Sequence, residues 1–283
     1  MMERALTFGP ANLVGILTQP APPVNSTDAP GMIILNSGIL HRPGASRIYV
    51  QVARALAKDG ITTLRFDFSG VGDSEVRRDA IAIEERFVQE TREAMDYLQS
   101  ALGLRRFILG GLCSGADGAF WTSLQDERVV GVWQIDAFCY PTLGYYRRKY
   151  ARKLVSPRAW AHSIKVRSPW AKKTQRDEET FVKPEYRRVF PPKREVGKGL
   201  DALLARGVAL YFFFTGGLEE YRYATQHEET FPDLDLGRRA RIRHVANCAH
   251  TITSLEHQAI LVDDLRAWSR DLLSQPRVNA TAG

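Results

Sequence analysis

The 283 residues, 44% apolar and 25% charged, suffice for one large α/β core, or for one core carrying an inserted subdomain. No run of about 18 uncharged apolar residues occurs, which excludes a membrane-spanning helix on length grounds. The first residues lack the apolar stretch of a signal peptide, so a cytoplasmic location is expected.

The chain opens with two alternating segments, 4–8 and 13–18, read as a hairpin across Gly9-Pro10-Ala11-Asn12. A Pro-rich polar loop follows over 19–30, and the continuous apolar run 31–35 then reads as a strand buried on both faces. A helix is predicted from Ser46, a candidate N-cap, to Asp59, with Ile48, Val52, Ala55 and Leu56 inward. The strand 62–67 runs into a glycine-rich turn, Asp67-x-x-Gly70-x-Gly72-x-Ser74, whose Asp and glycines read as turn-shaping residues.

Residues 81–101 form an amphipathic helix with Phe87, Thr91, Ala94, Met95 and Leu98 on its core side. The strand of Arg106 to Leu112 follows, then a helix over 115–124 and a strand over 129–135. From 141 to 199 this alternation stops, and the segment is basic and rich in aromatics such as Tyr145, Tyr146, Tyr150, Trp160 and Trp170. It reads as an inserted lid. The core pattern resumes with a strand over 207–214, a helical segment over 219–231, a strand over 241–245 and an amphipathic helix over 256–273. Residues 1–140 and 200–275 are thus the core, and 276–283 a flexible tail. Strands alternating with helices predict a doubly wound, mostly parallel sheet with its ligand at the carboxyl ends of the strands.

Gly111-Leu112-Cys113-Ser114-Gly115 joins a predicted strand to a predicted helix with the spacing G-x-nucleophile-x-G. At these residues the chain resembles the α/β-hydrolase superfamily, in the branch with a cysteine nucleophile that includes dienelactone hydrolases and cysteine-dependent polyketide cyclases. It also resembles the hydrolases encoded near bacterial exosortase systems. The Asp67 to Ser74 pattern is another of the same superfamily. The alternative for Cys113 is a buried structural thiol in a glycine-rich turn.

A thiol needs a base or a helix N-terminus to ionise it, and Cys113 stands where a helix begins. The resemblance places the base after the last strand, where His250 lies between small neighbours; His244 and His257 are read as structural. Two acids fit the order nucleophile, acid, histidine. Glu219 occupies the superfamily's G-x-x-D position with Glu for Asp, whereas Asp136 ends the preceding strand, from which the cysteine-dependent cyclases are thought to draw their acid. Asp136 is slightly favoured because a strand end holds it more rigidly than a glycine-rich loop holds Glu219; Glu220 is a weaker third choice. For the oxyanion, position assigns the backbone N–H groups of Ser114 and Ile39. His41, Arg42, Tyr140, Tyr145 and Tyr146 are the candidate substrate contacts. His41 and Arg42 also admit a purely structural reading.

The cysteines Cys113, Cys139 and Cys248 form no CxxC pair, so neither a disulfide framework nor a zinc site is indicated, and no cofactor is called for. Residues 141–200 hold 17 Lys and Arg against 5 Asp and Glu, so the net charge of +7 belongs to the insert and not to the fold. A thiolate exchanges one thioester for another at nearly equal free energy, whereas attack on an ordinary ester runs uphill. Activated acyl groups travel on coenzyme A or on an acyl carrier protein, both anionic, and a basic insert would steer either. The expected activity is acyl transfer from such a thioester to Cys113, with release to water or by cyclisation. A lactone or carboxylic-ester hydrolase and a non-catalytic scaffold that binds an acidic partner are the alternatives. No nucleic-acid motif accompanies the charge, and the sequence leaves the oligomeric state open.

Overall fold

The computed structural model describes residues 1–21, 29–79, 81–154 and 188–274. Eight strands form one sheet: β1 (Met2–Phe8), β2 (Leu13–Gln19), β3 (Gly31–Leu35), β4 (Thr63–Phe66), β5 (Phe107–Leu112), β6 (Val129–Ile135), β7 (Ala209–Thr215) and β8 (Ala240–Val245). Their order is β1-β2-β4-β3-β5-β6-β7-β8. The β1–β2 and β2–β4 pairs are antiparallel and the others parallel, so β5, the strand that leads to Cys113, lies near the middle between β3 and β6.

Strand periodicity sends alternate residues to two separate apolar layers. In β7, Leu210, Phe212 and Phe214 join one layer, with Phe107 and Leu109 of β5. Tyr211 and Phe213 join the other, with Ile108 and Leu112. The first layer is covered by α2 (Ile83–Leu102), α3 (Ser114–Gln125) and α5 (Lys193–Ala205). The second is covered by α1 (Ile48–Lys58) and α8 (Leu255–Ser274), through Ile48, Val52, Leu56, Leu261, Leu265 and Trp268. Such two-sided burial explains why β3, β5 and β7 are apolar without interruption. Burying each of these side chains contributes about 1.5–3 kcal/mol.

Three elements depart from expectation. Ser46 does not cap α1: it and Arg47 have φ of 50° and 62°, in a 3₁₀ turn at Ala45–Arg47 that precedes the helix, and no side chain caps the helix start. The helix predicted over 219–231 is confined to α6 (Gln226–Thr230). Ahead of it, the buried side chain of Gln226 accepts from Arg222 N–H (2.9 Å) and donates to the carbonyls of Glu220 (2.5 Å) and Tyr140 (3.1 Å), satisfying loop backbone that a helix would have paired internally. Helix α5 begins at Lys193, inside the segment read as insert, and buries Val196, Leu200 and Leu203 in the first layer. The core therefore resumes before residue 200. Of the segment read as insert, residues 141–154, with α4 (Leu143–Leu154), and 188–199 are described. Residues 155–187, the tail 276–283 and loop residues 22–28 lie outside the described residues. A short helix, α7 (Leu236–Arg239), precedes β8. No helix among the described residues is long and apolar enough to cross a membrane.

Candidate active site

The turn between β5 and α3 requires two positions without a side chain. A Cβ on Gly111 or on Gly115 would stand 2.5 Å from the carbonyl oxygen of Leu35, a backbone atom of β3 that cannot yield. This close approach puts Cys113 at φ 55°, ψ −117°, a conformation costing a non-glycine residue about 1–3 kcal/mol. The surroundings hold it there: its N–H donates to Ile135 O (2.9 Å), its carbonyl accepts from Asp117 N–H (3.1 Å), and the preceding Leu112 N–H donates to the Tyr49 hydroxyl (2.7 Å). The thiol is partly exposed at the start of α3.

Asp136 follows β6 at φ 51° and is fully buried. One carboxylate oxygen accepts from Thr215 N–H (2.7 Å); the other accepts from the Thr215 hydroxyl (2.7 Å) and meets His250 Nδ1 at 2.5 Å. His250 reaches this point because Gly216 and Gly217 leave room for the loop after β8: a Cβ on Gly217 would lie 2.5 Å from His250 N. With Nδ1 taken by Asp136, the other ring nitrogen is the one left to serve Cys113, whose thiol His250 lowers. Glu219 is exposed, and its described hydrogen bond is through its backbone carbonyl, to Arg222. The Gly216-Gly217 loop thus admits the histidine, while the carboxylate that meets it stands at the end of β6.

Hydrogen bonds to Asp136 and Cys113 raise the imidazole of His250 to about 9, against the opposing effect of burial. Burial pushes the Cys113 thiol up, but the His250 hydrogen bond and the charges of Arg188 and His250 outweigh it and, with Asp117 opposing, hold the thiol below its ordinary value. Both shifts run toward a thiolate beside an imidazolium. Cys139 and Cys248 are buried, and burial pushes both of their thiols up, Cys248 to about 11. They are poor thiolates.

The loop after β3 carries Ile39, whose side chain is 84% exposed. It is held from three sides. Gly38 N–H donates to Ser114 Oγ (2.8 Å), Asn36 Nδ2 donates to Leu40 O (2.9 Å), and Arg42 N–H donates to buried Asp67 (2.5 Å). The guanidinium of Arg42 pairs with Asp67 and, at 2.5 Å, with Asp73. Asp67 also accepts Asp73 N–H (3.4 Å), and Ser74 Oγ donates to Asp67 O (2.6 Å). Arg42 and the Asp67 to Ser74 turn therefore fasten this loop, whereas His41 is exposed. Tyr140 donates its hydroxyl to Pro191 O (2.7 Å) and packs edge-on to Phe190 and Phe231, which holds the chain after β6 against residues 190–191. Tyr145 is buried against Tyr146, which is 45% exposed.

Two contributors escaped the sequence reading. The Ser114 hydroxyl, to which the sequence assigned no role, bridges the elbow to the loop that carries Ile39. Arg188 sends a two-pronged ion pair to Asp117, Nε to Oδ2 and Nη2 to Oδ1, both at 2.7 Å, and Nη2 also donates to Asp136 O (3.0 Å). Its guanidinium lies over the rings of Phe138 (5.4 Å) and Phe190 (4.8 Å). Beside this pair runs a cavity of about 730 Å³ lined by α2, α3 and residues 189–195, with Phe87, Trp121 and Phe138 in its walls. Among the described residues no cluster of His, Cys, Asp and Glu could hold a metal ion.

Comparison with solved structures returns the same architecture at low identity. Est1E from Butyrivibrio proteoclasticus superposes with a TM-score of 0.59 at 12% identity, covering 97% of this chain and 100% of that one. An α/β serine hydrolase from Xanthomonas campestris gives 0.56 at 14%, covering 98% of each chain. Alpha/beta hydrolase domain-containing protein 10 from mouse gives 0.55 at 15%, covering 96% and 100%. A search of curated protein sequences found no match. Residues 31–194, more than half of the chain, match the family model described as alpha/beta hydrolase fold, and with the strand order and the elbow at Cys113 in place, the chain belongs to the α/β-hydrolase fold family.

Proposed function

We propose that the protein is an acyl-transfer enzyme of thioesterase or cyclase type. The observation that carries this reading is the chain of contacts from Asp136 through His250 to Cys113 on its strained turn. The Cys113 thiolate attacks the carbonyl of an acyl thioester, and the oxyanion that forms takes the N–H groups of Ser114 and Ile39. The intermediate collapses with loss of the carrier thiolate, which receives the proton from the His250 imidazolium. Neutral His250 then removes a proton from water, or from a hydroxyl of the bound acyl chain, as that oxygen attacks the acyl-enzyme. Cys113 leaves as the thiolate and the acyl group departs as an acid or a ring. Throughout, Asp136 holds the ring with Nδ1–H toward itself and stabilises its cation.

The carrier is an acyl carrier protein or coenzyme A. The support is chemical: a thiolate gains nothing on an ordinary ester but exchanges evenly with a thioester, and the 17 Lys and Arg of residues 141–200 suit an anionic carrier. Intact-protein mass spectrometry after incubation with acyl-CoA and acyl carrier substrates should show one acyl adduct, located on Cys113 and longer-lived in His250→Ala. Turnover of small esters or lactones with no adduct from any acyl thioester would replace this reading with that of a carboxylic-ester hydrolase.

A further inference from the structure

Arg188 is one basic residue among the many of residues 141–200, yet its side chain is only 13% exposed and its partner Asp117 only 9%. A buried ion pair is weak evidence for stability, because removing two charges from water consumes most of what their attraction returns. This pair stands one helical turn from Cys113, with Asp117 N–H donating to the Cys113 carbonyl at 3.1 Å. Its cation also reaches Asp136 O at 3.0 Å, so Arg188 sits between the strand end that bears the acid and the helix that bears the thiol. Phe138 and Phe190 flank the guanidinium and limit its screening by water.

We propose that Arg188 and Asp117 are an opposed pair of charges that sets how readily Cys113 becomes a thiolate, Arg188 favouring the anion and Asp117 restraining it. The proposal rests on the reading of Cys113 as the nucleophile and adds the groups that tune it. The other titratable groups around Cys113 are His250 from the loop after β8, Asp136 behind that histidine, and Tyr49 from α1, whose hydroxyl is engaged by Leu112 N–H. Of the two partners, Arg188 adds its positive charge to that of His250 in lowering the thiol, while Asp117 raises it. The elbow thus receives part of its electrostatic setting from a residue at the far end of the insert.

The two partners give this proposal a test that a purely structural ion pair would fail. The rate of Cys113 alkylation by iodoacetamide, with the label located by mass spectrometry, is followed against pH in the full-length protein and in Arg188→Met, Arg188→Lys and Asp117→Asn. The inflection should move to higher pH in Arg188→Met, with a roughly threefold slower reaction at pH 7 for each pKa unit, since lost thiolate is partly offset by greater nucleophilicity. It should move to lower pH in Asp117→Asn and stay near the wild-type position in Arg188→Lys, which keeps the charge. Movement of Met and Asn variants in the same direction, no movement in either, or a Lys variant that behaves like Met overturns the proposal. Alkylation needs no acyl substrate, so a failed acyl-adduct experiment would remove the proposed reaction and leave this measurement readable.

Discussion

Asp136 accepts Thr215 N–H on one oxygen and His250 Nδ1 on the other, and this division of labour decides what its amide would do. In Asp136→Asn the Thr215 N–H still requires an acceptor and claims the amide oxygen, so the amide NH2 must face His250. The ring then accepts at Nδ1 and carries its proton on the nitrogen that serves Cys113, which removes the base. Turnover of an acyl thioester should fall about 10³–10⁴-fold with the fold intact, and steady-state kinetics with a circular dichroism spectrum checks both halves. A loss below tenfold would mean that the histidine is oriented by something else.

At the scale of elements, the elbow is constrained by backbone and not only by side chains. In Gly115→Ala the new methyl would sit 2.5 Å from Leu35 O and 3.0 Å from Asn36 O, in a region where β3 is fixed by parallel pairing on both sides. Such overpacking should destabilise the protein by about 3 kcal/mol, read as a lower denaturation midpoint at an unchanged m-value. Wild-type stability in this variant would show that the turn can relax.

The same elements show what a sequence can display. Continuous apolar runs located β3, β5 and β6, because strands buried on both faces carry no alternation to misread. Cys113 was singled out by the G-x-nucleophile-x-G spacing, His250 by the resemblance and its loop after the last predicted strand, and Asp136 by its strand end. Glu219 competed with Asp136 by its G-x-x-D position, and the contact of His250 Nδ1 with buried Asp136 at 2.5 Å, with Glu219 left exposed, separates them. Arg188 was invisible: its partner lies 71 residues away, and nothing in a basic run marks which cation will be buried. The helix expected over 219–231 failed because a glutamine side chain, Gln226, does the hydrogen bonding of a helical turn without forming one.

For the molecule as a whole, His227 links stability to acidity. It is 1% exposed among Phe212, Phe214 and Phe231, neither ring nitrogen has a hydrogen-bond partner, and burial pushes it from 6.5 to about 3. The folded state binds this proton less well than the unfolded chain. Its contribution to stability is therefore complete above 6.5 and is lost as the pH falls from there toward 3, by about 2 kcal/mol between pH 7 and pH 5. Urea denaturation of wild type and His227→Phe at those two values should show a smaller loss in the variant by that amount; parallel losses would exonerate His227. His244, also lowered by burial, is common to both proteins and cancels from the difference.

The strand order leaves the sheet open at both sides, since among the described residues β1 pairs with β2 and β8 with β7. Unpaired strand edges are templates for another copy of the chain, and here both carry charge: Glu3 and Arg4 along β1, Arg241 and Arg243 along β8. Setting a second β8 against the first would bring like charges together without enough water to screen them. The β8 edge thus carries its own repulsion against a second copy, whereas the β1 edge, with both signs of charge, does not.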